Sequence, residues 1–164
     1  MKQLWAPWRM AYIDQGSTKE AGCIFCDKFH DGDRREGLVL ARTHHAVVML
    51  NKYPYNNGHL LLAPKRHEND LTTLSSDEFQ DLNEALRRSV DIVRQVMNPG
   101  GINLGMNLGQ CAGAGIADHL HWHVVPRWEG DTNFMPVVGE TRVMPQHLLD
   151  SYDRLQPYFQ TLSA

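Results

Sequence analysis

No apolar run in this chain of 164 residues approaches the roughly 18 that a membrane-spanning helix needs. The opening MKQLWAPWRM lacks the unbroken apolar stretch of a signal peptide. A cytoplasmic protein without a membrane partner is expected. Clustered basic charge is missing too: 16 Lys and Arg against 19 Asp and Glu leave a formal net charge of −3. Non-specific nucleic-acid binding rests on clustered cations that neutralise phosphates, so nucleic acid is not the expected partner, and any anionic ligand must be held by a local site. Thirteen glycines and eight prolines are too few for a low-complexity or collagen-like chain. Three cysteines cannot close an even disulfide framework, and Cys23-x-x-Cys26 fits reduced thiols or a metal site better.

What the chain has in excess is histidine, nine in all, with three inside five residues. Around them the hydrophobic pattern gives a coarse map. The first 20 residues, with Trp5, Trp8, Tyr12 and Ile13, show no period and read as an irregular packing arm; Gly22 and Cys23 to Cys26 read as a knuckle. LVLART, AVVMLN and HLLLAPK read as strands, the last two separated by the turn chemistry of KYPYNNG. Ser75 and Glu78 form a capping-box pattern ahead of an apolar stripe of Phe79, Leu82, Leu86, Val90, Val93 and Met97, stopped by Asn98-Pro99-Gly100-Gly101. INLGMNLG and HLHWHVVPR read as two further strands joined by GQCAGAGIAD. Leu148, Leu149, Tyr152 and Leu155 predict a short C-terminal helix broken near Pro157. Without repeats or an evident linker, residues 1–164 are expected to form one α+β domain on an antiparallel sheet: an arm (1–36), a core (37–128) and a tail (129–164).

Residues 119–125 read HLHWHVV. In a strand, His119, His121 and His123 share one face and Leu120, Trp122 and Val124 the other. Positions i and i+2 lie about 6.5 Å apart and i and i+4 about 13 Å, whereas a zinc–nitrogen bond is about 2.0–2.1 Å. Two neighbouring rings can therefore share a metal, but all three cannot, and at least one imidazole remains as nucleophile, base or phosphate donor. Gly109, Gly113 and Gly115 just upstream suit a backbone nest for an anion, although a plain turn uses the same residues. The GxGxxG dinucleotide fingerprint is absent.

The row resembles the signature of the histidine triad (HIT) superfamily of nucleotidyl hydrolases and transferases, and Asn51, Asn57-Gly58-His59, Pro64-Lys65-x-His67, the helix and the glycine loop follow in that family's order. The stretch PRWEGDTNFMPVVGETRVMP is similar to the bacterial branch related to diadenosine tetraphosphate phosphorylases and hydrolases. The resemblance implies a five-stranded antiparallel sheet with one main helix and a short C-terminal one, dimerising to extend the sheet. It implies that His121 attacks the α-phosphorus of a nucleotide to form a covalent nucleotidyl-histidine, while His123 contacts the phosphate oxygens. It places Asn51 at the ribose, Asn107 near the phosphates, and the backbone N–H groups of Ala114, Gly115 and Ile116 along them. Many relatives carry Ser or Thr where this chain has Ile116, so only the main-chain donor can serve there.

By spacing alone, Cys23 and Cys26 supply two zinc ligands of four, and a metal-free or redox-active pair is open as well. The resemblance supplies His67 and His119 to complete a closed structural zinc site, with His44 and His45 as rivals. Trp128 is placed on a base, on the partner subunit or in packing, and Cys111 in packing. Lys52, Lys65, Arg66 and Arg127 are candidates for phosphate; Asp131, Asn133 and Glu140 are candidates for shaping substrate choice. The function expected from all this is cleavage of a dinucleoside polyphosphate, with inorganic phosphate or water as second nucleophile. A zinc-dependent hydrolase, a phosphoramidate hydrolase and a nucleotide-binding protein without turnover are the competing classes.

Overall fold

The computed structural model describes residues 22–30, 34–131, 144 and 146–163. Trp5, Trp8, Tyr12 and Ile13 of the expected arm, and Asn133 and Glu140 of the tail, lie outside them. Cys23 and Cys26 do not make a loop knuckle. Cys23 directly precedes helix α1 (Ile24–His30), its carbonyl accepting the Asp27 N–H at 3.0 Å, so Cys26 sits in a helical first turn.

The strands are β1 (Val39–Arg42), β2 (Ala46–Leu50), β3 (Leu60–Pro64), β4 (Gly101–Met106) and β5 (Trp122–Arg127). They form one antiparallel sheet in the order β1-β2-β3-β5-β4. β2 and β3 are buried along their whole length. Both faces of the sheet are covered there, which is why AVVML and LLLAP are continuously apolar rather than alternating. One face, carrying Leu40, Val48, Leu50, Leu60, Leu62 and Val124, packs against helices α2 (Ser76–Met97) and α3 (Leu148–Phe159). The other carries a smaller cluster of Val39, Val47, Met49, Leu61 and Ala63, closed by Phe25 of α1. β4 is an outer strand and mostly exposed, with Leu104 turned to solvent.

The α2 capping box forms as the pattern predicts. Ser75 Oγ accepts the Glu78 N–H at 3.2 Å and the Glu78 carboxylate accepts the Ser75 N–H at 2.8 Å. Arg66 holds that carboxylate from outside, at 2.9 Å, and draws the Glu78 pKa down to about 2. The helix ends at Asn98, whose N–H still reaches the Arg94 carbonyl while its left-handed backbone (φ 49°) turns the chain out of the helix. Leu82, Leu86, Val93 and Met97 are buried, but Phe79 is 45% exposed: the apolar stripe is longer by a turn than the surface that covers it. Pro157 does not break α3. It removes one backbone N–H, yet the complete burial of Leu155 and Phe159 holds the last turn across that loss. Among the described residues no helix is long and apolar enough to cross a membrane.

Candidate active site and metal cluster

The histidine row is not one strand. β5 begins at Trp122, and His119 and His121 precede it. The Leu120 N–H leaves the sheet ladder to donate to the Glu68 carbonyl at 2.7 Å. The apolar side of the row behaves as expected: Leu120 and Val124 enter the core beneath α2, with Trp122 packed against it. The three imidazoles meet on the opposite side, and the departure from strand geometry aims them at different partners.

Backbone partners assign the protons, since a carbonyl can only accept and an N–H can only donate. His121 Nδ1 lies 2.9 Å from the His119 carbonyl and so carries the proton, which leaves a lone pair on Nε2. His59, which is fully buried, accepts the Tyr55 N–H at Nδ1 (3.0 Å). Its Nε2 therefore carries the proton and donates to His123 Nδ1 at 2.9 Å. His123 is thereby set with N–H on Nε2. Burial keeps His121 and His123 uncharged: it moves the His121 pKa down, and it lowers that of His123 to about 4, with His121 next to it adding to the effect. Tyr55 stacks on His123, centroids 5.6 Å apart and planes within 18°. The outcome is a nucleophile-type nitrogen beside a fixed N–H donor. His59 and Tyr55 carry no assignment in the sequence reading, because only the β3–β5 pairing brings them under His123. Gly58 makes the turn that delivers His59: its φ is +69°, and a Cβ there would run into the Met97 sulfur.

His119 faces the other way. Its Nε2 donates to the Pro64 carbonyl at 2.8 Å, so the Nδ1 lone pair points at the thiols, 3.2 Å from Cys23 Sγ and 3.6 Å from Cys26 Sγ. His67 Nδ1 is 3.3 Å from Cys26 Sγ. All four ligand atoms lie within 4.8 Å of one another. Tetrahedral zinc with bonds of about 2.0–2.3 Å needs sulfur–nitrogen separations near 3.5 Å, which these atoms match. The donor set, two thiols and two imidazoles, is also a common structural zinc set. Burial, then the adjacent Cys23 thiol, pushes the Cys26 thiol up to about 11, so it stays protonated at neutral pH unless a cation takes the proton's place. Burial likewise keeps His119 neutral, with its pKa down to about 4. His119 and His121 do not share a metal position. The rival ligands are elsewhere: the backbone N–H of His45 donates to Asp81, and the His44 ring lies against that of His45.

Beyond His123 a cleft of about 380 Å³ opens along β4 and β5, lined among others by Tyr55, Asn103, Asn107, Arg127 and Asp131. Asn107 reaches it, with its amide 3.4 Å from the Gly113 carbonyl. Asn51 sits behind His59, its Oδ1 accepting the Tyr53 N–H and its Nδ2 3.3 Å from His59 Nδ1. In the glycine loop, the Ala114 N–H is taken by the Gly109 carbonyl (3.3 Å), so it is not aimed at a ligand; Gly115 follows at the surface, and the Ile116 side chain packs toward Phe25. Trp128 packs on the core and donates its backbone N–H to Asp131. Cys111 is exposed rather than packed. Of the four basic candidates, Arg127 borders the cleft, forked on Asp131 at 2.7 and 2.8 Å, whereas Arg66 is engaged by Glu68 and Glu78. Lys52 stands over the exposed Tyr53 ring and Lys65 extends β3 by donating its N–H to the His45 carbonyl; neither borders the cleft.

Residues 34–130 match the HIT domain family, more than half of the chain, and the chain belongs to that family. It is 39% identical over 158 residues to a Mycobacterium tuberculosis protein named AP-4-A phosphorylase, covering 92% of this chain and 80% of that one. It is 30% identical over 97 residues to a bis(5'-adenosyl)-triphosphatase of Dictyostelium discoideum, covering 59% and 64% of the two chains. A zinc-bound histidine triad family protein of Mycobacterium smegmatis shares the fold, with a TM-score of 0.64 at 23% identity over 86% of this chain and 95% of that one.

Proposed function

We propose that this chain, a HIT-type enzyme, cleaves dinucleoside polyphosphates of the diadenosine tetraphosphate type by transferring a nucleotidyl group through His121. The observation that carries the reading is the proton on His121 Nδ1, held by the His119 carbonyl, which leaves Nε2 free to attack. In the first displacement the Nε2 lone pair forms a bond to the α-phosphorus, the bridging P–O bond breaks, and the remaining polyphosphate leaves with that electron pair. In the second, an incoming oxygen nucleophile attacks the same phosphorus and the P–N bond breaks, restoring His121. Splitting the transfer lets the first product depart before the acceptor enters. Nε2–H of His123 donates to the phosphoryl oxygens as charge builds on them, a donor whose orientation is already set by His59. Asn107 lines the same cleft and suits the phosphates; Asn51, on the other side of His59, suits the ribose. Gly115 and Ile116 remain as main-chain donors in the loop.

Cys23, Cys26, His67 and His119 would hold zinc, which would tie α1 to the catalytic segment. We further read the protein as one cytoplasmic domain that pairs with a second copy through β4, which ends the sheet among the described residues. The resemblance of 39% to a phosphorylase favours inorganic phosphate over water as the second nucleophile. The test is a chromatographic product assay on diadenosine tetraphosphate with and without inorganic phosphate. ADP plus ATP, formed only when phosphate is present, is the expected result. AMP plus ATP without phosphate would replace phosphorolysis by hydrolysis, and a transfer that proceeds with no label on His121 during turnover would overturn the nucleophile.

A further inference from the structure

Phe25 is fully buried in the first turn of α1 and stands in the sequence between the two thiols of the cluster, Cys23 just before the helix and Cys26 within it. Its ring lies 5.1 Å from that of His119 and 5.0 Å from that of His121, at tilts of 58° and 37°. His119 belongs to the cluster; His121 is the nucleophile of the reading above. His121 has three neighbours that define its orientation: the His119 carbonyl at Nδ1, the His123 ring edge-on at 4.9 Å, and the Phe25 face. Two of these three belong to the metal cluster or lie next to it in the chain: the carbonyl is that of the ligand His119, and Phe25 stands between Cys23 and Cys26. A tether that only fastened the N-terminal segment to the sheet would not need to reach the catalytic ring.

We infer that Phe25 is a positioning residue: it transmits the state of the Cys23, Cys26, His67 and His119 cluster to His121, so that metal binding fixes the direction of the attacking Nε2. With the cluster filled, both thiols are held, the first turn of α1 is fixed, and the Phe25 ring closes one side of the His121 rotamer well. With the cluster empty, His119 and the helix turn each gain freedom, and the wedge loosens. The inference rests on the nucleotidyl-histidine reading for its kinetic consequence but not for its structural one.

The test is a cycle of four samples: wild type and Phe25→Leu, each zinc-loaded and chelator-treated. In wild type, removing zinc is expected to lower kcat about tenfold with KM for diadenosine tetraphosphate nearly unchanged, the cost of misaiming a reacting group. Zinc-loaded Phe25→Leu, which keeps an apolar side chain but no flat ring, is expected to show a similar loss. Removing zinc from that variant is expected to cost little more, about twofold, because residues acting through one path are not additive. Independent losses that multiply to about a hundredfold would overturn the inference. The second readout is the ring ¹⁵N and ¹³C spectrum of His121 at fixed pH. Its resonances are expected to shift and broaden on zinc removal in wild type, and to be already shifted and insensitive to zinc in Phe25→Leu. A His121 spectrum unchanged by zinc in wild type would also overturn it, even if the variant failed to fold. If no sample turned over any nucleotide, the function above would fall while the spectra still decided this inference.

Discussion

The two ends of the histidine row are chemically alike and structurally opposite. His119 and His123 are four residues apart, one buried and the other half-buried at the cleft, and both neutral, yet each is wired in reverse. His119 gives its Nε2 proton to a carbonyl and turns Nδ1 toward two thiols. His123 accepts at Nδ1 from another imidazole and turns an Nε2 proton toward the cleft. One end offers a lone pair that suits a cation, the other a proton that suits an anion. The difference lies not in the residue type but in which nitrogen the surrounding chain has already occupied, and His121 between them meets the carbonyl of the first at Nδ1 and the ring of the second edge-on.

Breaking the middle should cost most. His121→Ala should reduce turnover of diadenosine tetraphosphate by a factor on the order of 10⁴ or more while leaving nucleotide binding largely intact, measured by product formation and by calorimetry. Breaking the cation end by Cys23→Ser should lower zinc content from about one per chain toward zero. It should also lower Tm by roughly 10 °C, as expected when a few kcal/mol of ligation is lost from a domain of this size. Breaking the anion end indirectly, with His59→Phe, removes the donor that sets His123 and should lower kcat roughly 10- to 100-fold with a smaller change in KM. The loss should be larger in kcat than for Tyr55→Leu, since the stacked ring supports His123 without fixing its proton.

The smallest effect should come from outside both ends, at the α2 cap. The Glu78 pKa is held near 2 by Arg66 and by the Ser75 N–H, below the ordinary 4.5. A depressed carboxylate stabilises the fold above its unfolded-state value and loses that contribution as pH falls from about 4.5 toward 2. Thermal melts across that window should show a shallower fall for Glu78→Gln than for wild type, offset by a loss of about 1 kcal/mol at pH 7 from the weakened cap. A Glu78→Gln melt that tracked wild type at every pH would remove the cap from the account.

Much of this was legible in the sequence, for a physical reason. Local rules act over a few residues, and so the capping box at Ser75, the stop at Asn98 and the apolar runs of β2 and β3 could be placed from the text alone. The resemblance carried Cys23, Cys26, His67 and His119 to one another across nearly a hundred positions. What stayed hidden was set by contacts remote in sequence. The diversion of the Leu120 N–H to Glu68 ends the strand at Trp122 and splits the row. The pairing of Leu61 with His123 brings β3 alongside β5, and with it His59 under that ring. Burial of Phe159 overrides the proline two positions before it. None of these leaves a mark in a window of four or five residues.

One residue of the glycine loop gives an experimental handle. Cys111 is exposed, whereas Cys23 and Cys26 are partly covered and directed at histidines. A thiol-reactive fluorophore added in slight excess to the zinc-loaded protein should therefore attach at this single point, within the turn Gln110–Ala112 that follows Asn107. Dye emission could then report, in a stopped-flow trace, the order in which nucleotide and acceptor arrive and depart, with no mutation to the chain.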